Sequence, residues 1–65
     1  MKIRYFEDTD TLLIELKPGS AAETRDLDEN TLLDLDAQGQ VQAITLEHAT
    51  VRADLSNFSY DRVSA

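Results

Sequence analysis

The sequence predicts an α+β chain weighted heavily to β: a small antiparallel sheet of four to five strands in a meander, with a short C-terminal helix. Three observations carry this. Apolar residues recur with period two along most of the chain up to Glu47, which is the signature of half-buried strands. The alternating runs are short and separated by clusters of turn residues. The alternation loosens only after His48.

Lys2 to Phe6 alternates, with Ile3 and Tyr5 on one side, and Glu7-Asp8-Thr9-Asp10 is a polar turn. Thr11 to Leu16 then places Leu12, Ile14 and Leu16 on one face and Leu13 and Glu15 on the other, completing a β-hairpin. Lys17-Pro18-Gly19-Ser20 breaks the pattern, because Pro18 presets φ and Gly19 tolerates positive φ. Ala21 to Leu27 is polar and extended, with the charged character of an edge strand. After a turn at Asp28-Glu29-Asn30, Thr31 to Asp36 resumes the alternation, with Leu33 and Leu35 opposite Leu32 and Asp34. Asp36-Ala37-Gln38-Gly39 has the Asp-first, Gly-fourth signature of a type I turn with a glycine bulge. Val41 to Glu47 follows, with Ile44 and Leu46 pointing inward. Beyond His48, Val51 and Leu55 lie four apart and predict a short helix over 49–55. Phe58 to Asp61 alternates again and predicts a short terminal strand.

The whole chain, 1–65, reads as one small β-rich domain: sheet over 1–48, then over 49–65 a short helix and a tail or terminal strand. A chain of this length buries only about 60% of its unfolded surface and usually needs a disulfide, a metal or an oligomer partner. There is no Cys and only one His, His48, so disulfides, thiolate sites and a His-rich zinc site within one chain are ruled out. A homodimer is the expected supplement, the alternative being a very well-patterned core. Its sequence signal is Leu13 and Leu32, which fall on the second face of the sheet and call for a cover, either the C-terminal segment or another subunit. The expected core is Ile3, Tyr5, Leu12, Ile14, Leu16, Leu27, Leu33, Leu35, Ile44 and Leu46.

Six basic residues against thirteen acidic ones leave a net charge of −7. Such a field repels phosphate backbones and anionic lipid, so direct nucleic-acid binding is disfavoured. Lys2, Arg4, Lys17, Arg25, Arg52 and Arg62 are also scattered, with no basic stripe of interleaved aromatics. A basic protein partner would be attracted, although an acidic surface also serves simply to keep a small protein in solution. No apolar stretch follows Lys2 and Arg4 as in a signal peptide, and no run approaches the length of a membrane span. No membrane partner and a cytoplasmic location are therefore expected.

Lys2-Ile3-Arg4-Tyr5 followed by Asp10-Thr11-Leu12-Leu13-Ile14-Glu15-Leu16 resembles the opening of a bacterial family catalogued as domain of unknown function 2283. Ala22-Glu23-Thr24, Leu33-Asp34-Leu35-Asp36, Gly39 and Ile44-Thr45-Leu46-Glu47-His48-Ala49-Thr50 extend the resemblance over residues 1–50. It implies a small β-rich fold without assigned catalytic activity. Because such proteins are sometimes encoded beside small toxin-like proteins, it also implies an antitoxin-like role for some. The chain departs from the family pattern at Gln42, where an apolar residue is usual, and at Ala43, where Gly is usual.

Three groups of residues invite a chemical reading. Asp34, Asp36, Gln38 and Gly39 mimic the first half of a calcium loop, but its twelfth position is Thr45 rather than the bidentate Glu that such a loop requires. A hairpin turn whose Asp accepts backbone N–H groups explains the same residues. Asp26, Asp28, Glu29, Asp34, Asp36 and Glu47 offer carboxylates, but acid–base work needs a pair in different environments within a cleft, and solvated surface charge is the simpler reading. His48 has Thr50 and Ser56 nearby in sequence but no strained nucleophile turn. The expectation is accordingly no catalytic residue, no metal, no cofactor and no enzyme. The chain reads as an acidic protein-interaction module, antitoxin-like by resemblance, with a structural homo-oligomer as the alternative.

Overall fold

The computed structural model describes residues 1–64, and in it the five alternating runs become strands: β1 (Lys2–Phe6), β2 (Thr11–Glu15), β3 (Glu23–Asp28), β4 (Thr31–Leu35) and β5 (Val41–Glu47), followed by α1 (Ala49–Arg52). All pair antiparallel in one sheet of order β1-β2-β5-β4-β3. The order is that of two meandering units, the β1–β2 hairpin and the β3–β4–β5 run, joined where β5 returns beside β2. The segment 16–22 makes that return possible. It crosses the ends of β5 and β4, with the Leu16 amide donating to the Gln42 carbonyl and the Ala22 amide to the Leu35 carbonyl, each at 2.8 Å.

The register sorts the side chains as period two requires. Ile3 faces Ile14, Ile14 faces Ile44 and Ile44 faces Leu33, which makes one apolar row across four strands. Tyr5, Leu12, Leu46 and Thr31 form the next row on the same face. The opposite face is polar: Arg4, Leu13, Thr45, Leu32 and Asp26 form its middle row, with Glu15, Ala43 and Asp34 beside them. Two bulges bend the ladder. One leaves Leu27 as the extra residue of β3, and the other leaves Gln42 as the extra residue of β5.

The departures from the family pattern, Gln42 and Ala43, fall at the second bulge. Gln42 and Ala43 are both buried, beside Glu15, Lys17, Gly19 and Asp34, and Gln42 Nε2 lies close against Gly19. The crossing segment covers this part of the polar face and keeps the Gln42 amide and the Ala43 methyl from solvent.

Several expectations are corrected. Leu27 is 65% exposed, because the bulge takes it out of the alternation, and Tyr5 and Leu16 are also exposed. The helix stops after four residues, where Ala53 turns extended (φ −143°, ψ 151°), and Val51 points into solvent. Phe58 to Asp61 forms no strand. No sheet edge takes it up; instead Phe58 and Tyr60 lie beside Met1 and Ile3.

Candidate interaction surface

The apolar face is incompletely covered. Leu12, Leu35, Ala43 and Ala49 are the buried apolar residues, and among the described residues no large side chain is fully buried. The row Ile3, Ile14, Ile44 and Leu33 remains half-buried from end to end, whereas Leu12 and Thr31, in the row nearer α1, are buried. The overall dimensions agree. The chain is a plate of 37 × 33 × 19 Å with a radius of gyration of 12.9 Å, against about 11 Å for a compact chain of this length. Its accessible surface of 5171 Å² exceeds by about 1,000 Å² the area of a folded monomer of its mass.

At the β1 edge the apolar face continues into a groove of about 430 Å³ lined by Met1, Ile3, Phe58 and Tyr60. Both aromatic rings are mostly solvent-exposed. The opposite edge, β3, is exposed along all six residues and carries Glu23, Asp26 and Asp28, with Arg25 donating to Glu23 at 2.7 Å. The two edges thus differ in charge, Lys2 and Arg4 on β1 against three acids on β3.

Two polar clusters fix α1 at the end of the sheet. Asp10, held at positive φ, accepts from the Tyr5 hydroxyl at 2.7 Å, the Thr50 amide at 3.1 Å and the Thr50 hydroxyl at 2.8 Å. The Tyr5 and Thr50 donors stabilise the carboxylate and hold its pKa below the usual range. The same bond raises the pKa of Tyr5, since the phenolate would lose the bond and face a negative charge. The Ala49 amide donates to the Asp10 carbonyl at 2.9 Å. On the other side Arg52 donates to the carbonyls of Asn30 (2.6 Å) and Glu47 (3.1 Å) and to the Thr31 hydroxyl (2.5 Å).

The residues that invited a chemical reading are dispersed. Asp36 organises a turn: it accepts from the amides of Gln38 and Gln40 at 2.9 Å each and pairs with Lys17. Lys17 first, then these amides, lowers its pKa. Gly39 takes the positive φ that the turn requires. Asp34 accepts from the Thr24 hydroxyl, so the mimic of a calcium loop is a hairpin turn with its carboxylates engaged. Asp28 accepts from the Asn30 amide at 2.8 Å, which leads the interactions lowering its pKa. His48 occupies the helix N-cap position in the left-handed region and makes no side-chain cap. The Thr50 hydroxyl is bound to Asp10 and that of Ser56 to Asp54, so neither partner suggested by sequence proximity engages His48. Of the two covers expected for Leu13 and Leu32, the C-terminal segment is not the one. Thr45 separates these two leucines, and the C-terminal aromatics sit beside Ile3, on the other face. Leu13 and Leu32 stay half-buried, as does the isoleucine row on the other face; that row alone runs unbroken across four strands. Sequence reasoning missed Asp10 and Arg52, for which only their types, a turn Asp and a late-helix Arg, gave a signal.

Fold and surface define a class: a one-layer antiparallel β-sheet domain with one polar face and one open apolar face. Residues 2–49 match the family described as Protein of unknown function (DUF2283), and the chain belongs to that family. The matched segment contains all five strands and ends at the first residue of α1. No curated protein and no solved structure matches the chain. No helix among the described residues is long and apolar enough to cross a membrane.

Proposed function

We propose that this chain is a non-catalytic protein-interaction module whose working surface is the apolar face of its sheet. The observation that carries the reading is the half-exposed row Ile3, Ile14, Ile44 and Leu33. Contiguous apolar surface of this kind marks an interaction site, and a 65-residue chain has little stability to spare for leaving it wet. Dye binding at submicromolar concentration tests the reading. An apolar fluorescent dye should bind the wild-type chain and should bind Ile44→Asp much less. A face closed to the dye at high dilution removes the reading.

A second reading is favoured by charge. The net charge of −7 and the fully exposed acidic β3 strand support an antitoxin-like role, in which this edge covers a basic protein and steers its approach. A small basic protein should then bind with strong salt dependence, and neutralising Glu23, Asp26 and Asp28 should slow association. Binding unaffected by either removes this reading.

A further inference from the structure

We infer that the occupant of the apolar face is a second copy of this chain, packed sheet on sheet about a twofold axis running along β5. The inference rests on the reading of that face as the working surface and names what covers it.

Area is the first argument. A stable, specific dimer buries about 800 Å² per copy, and the excess of about 1,000 Å², shared between the open face and the extended residues after α1, is of that order. Stacking through the opposite face would bury Thr45 between Leu13 and Leu32, with Arg4, Glu15, Asp26 and Asp34 around them, and like-edge pairing is opposed by charge. Joining β3 to β3 brings Glu23, Asp26 and Asp28 together with their copies, and joining β1 to β1 does the same with Lys2 and Arg4. Face-to-face stacking avoids both.

The axis follows from strand order. β5 is the middle strand, with two on each side. A twofold along β5 stacks β5 on β5 and lays the β3 edge of one copy over the β1 edge of the other. Arg25, which ends the isoleucine row beside Leu33, then comes over the groove formed by Met1, Ile3, Phe58 and Tyr60. That groove offers aromatic rings to a guanidinium and closes over the exposed Phe58 and Tyr60 (64% and 81%). An axis across the strands would instead bring Arg25 onto Arg25. Two aligned sheets about 10 Å apart would then share one dry layer.

The test follows mass and dye binding together on the full chain from submicromolar to submillimolar concentration. The expected result is a doubling of mass, accompanied by release of the dye. Ile44→Asp should stay monomeric. If that change prevents folding, the paired rim substitutions Phe58→Ala and Tyr60→Ser, outside the sheet, should still raise the dissociation constant by roughly tenfold or more. Because the chain lacks Cys, cross-linking reports the axis. Arg25→Cys with Tyr60→Cys should link two copies, whereas Arg25→Cys alone should not; the two positions lie at opposite edges of one sheet, about 19 Å apart by strand spacing. A monomer that keeps binding dye at every concentration overturns the second copy and leaves the interaction surface standing. A monomer that never binds dye overturns both. A dimer indifferent to Ile44→Asp and to the rim changes, or one cross-linked through Arg25→Cys alone, also overturns the proposal.

Discussion

Asp10 holds Thr50 from forty residues away, accepting both its backbone amide and its hydroxyl. It therefore does for α1 what an N-cap side chain normally does from within the helix, and His48, at the N-cap position itself, does not. Asp10→Ala should release the helix without dissolving the sheet. Amide exchange at Thr50 and Ala53 should become roughly five- to tenfold faster, the scale of a lost cap, while the β2–β5 amides change less. Hydrogen exchange read by residue checks this. Uniform acceleration across the chain would show that Asp10 supports the whole fold rather than its end.

The same carboxylate sets a pH dependence. Asp10, Asp28 and Asp36 all have pKa values lowered by their donors. A lowered folded-state pKa contributes stability that is present above the unfolded value, about 3.9, and lost as the pH falls through the folded value. Tyr5 is raised, so its contribution is complete below about pH 10 and is lost as the pH rises through the folded value. The melting temperature should accordingly hold level between these limits, fall on acidification below about pH 4 and fall again above about pH 10. Thermal melts across this range check it. Asp36→Asn should flatten the acid limb, and Tyr5→Phe should flatten the alkaline one.

Glycine separates two kinds of turn. Gly39 has φ +81° and open space where a Cβ would stand, whereas Gly19 has φ +121° and a would-be Cβ 3.3 Å from Gln42 Nε2. Gly39→Ala should cost about 1–2 kcal/mol, the conformational penalty alone. Gly19→Ala should cost more, because its φ lies beyond the left-handed region and the buried Gln42 must also shift. Urea unfolding of the two variants gives the order. Equal losses would mean that the crossing segment adjusts freely over the polar face.

What was legible in the sequence and what was not divides along the range of the interactions. Leu12, Ile14, Leu33 and Ile44 declare their common face through local alternation, and the register bears that out. The Asp36 turn is likewise written in four consecutive residues. The pairing of β2 with β5 is not, since it depends on how the segment 16–22 crosses the sheet. Nor are the roles of Asp10 and Arg52, whose partners lie forty and about twenty residues away. The path of the C-terminal residues was illegible for a related reason. Leu13 and Leu32 look unpaired in a list of alternating residues, but coverage depends on which face the C-terminal residues approach, and Phe58 and Tyr60 approach Ile3.

Leu12 and Leu27 test how far the register governs stability. Both belong to alternating runs, yet Leu12 is 5% exposed and Leu27 is 65% exposed. Leu12 stands between Tyr5 and Leu46, close to the attachment of α1, so Leu12→Ala removes buried methyl groups and leaves a gap that the flanking strands cannot close. The cost should be about 2–5 kcal/mol, a large share of what a domain of this size has. Leu27 is the extra residue of a bulge and escapes the ladder, so Leu27→Ala should stay within about 0.5 kcal/mol. Urea unfolding midpoints at fixed chain concentration provide the comparison, with concentration held constant because association would itself raise the midpoint. A loss at Leu27 comparable to that at Leu12 would mean that the bulge residue packs against something the isolated sheet does not provide.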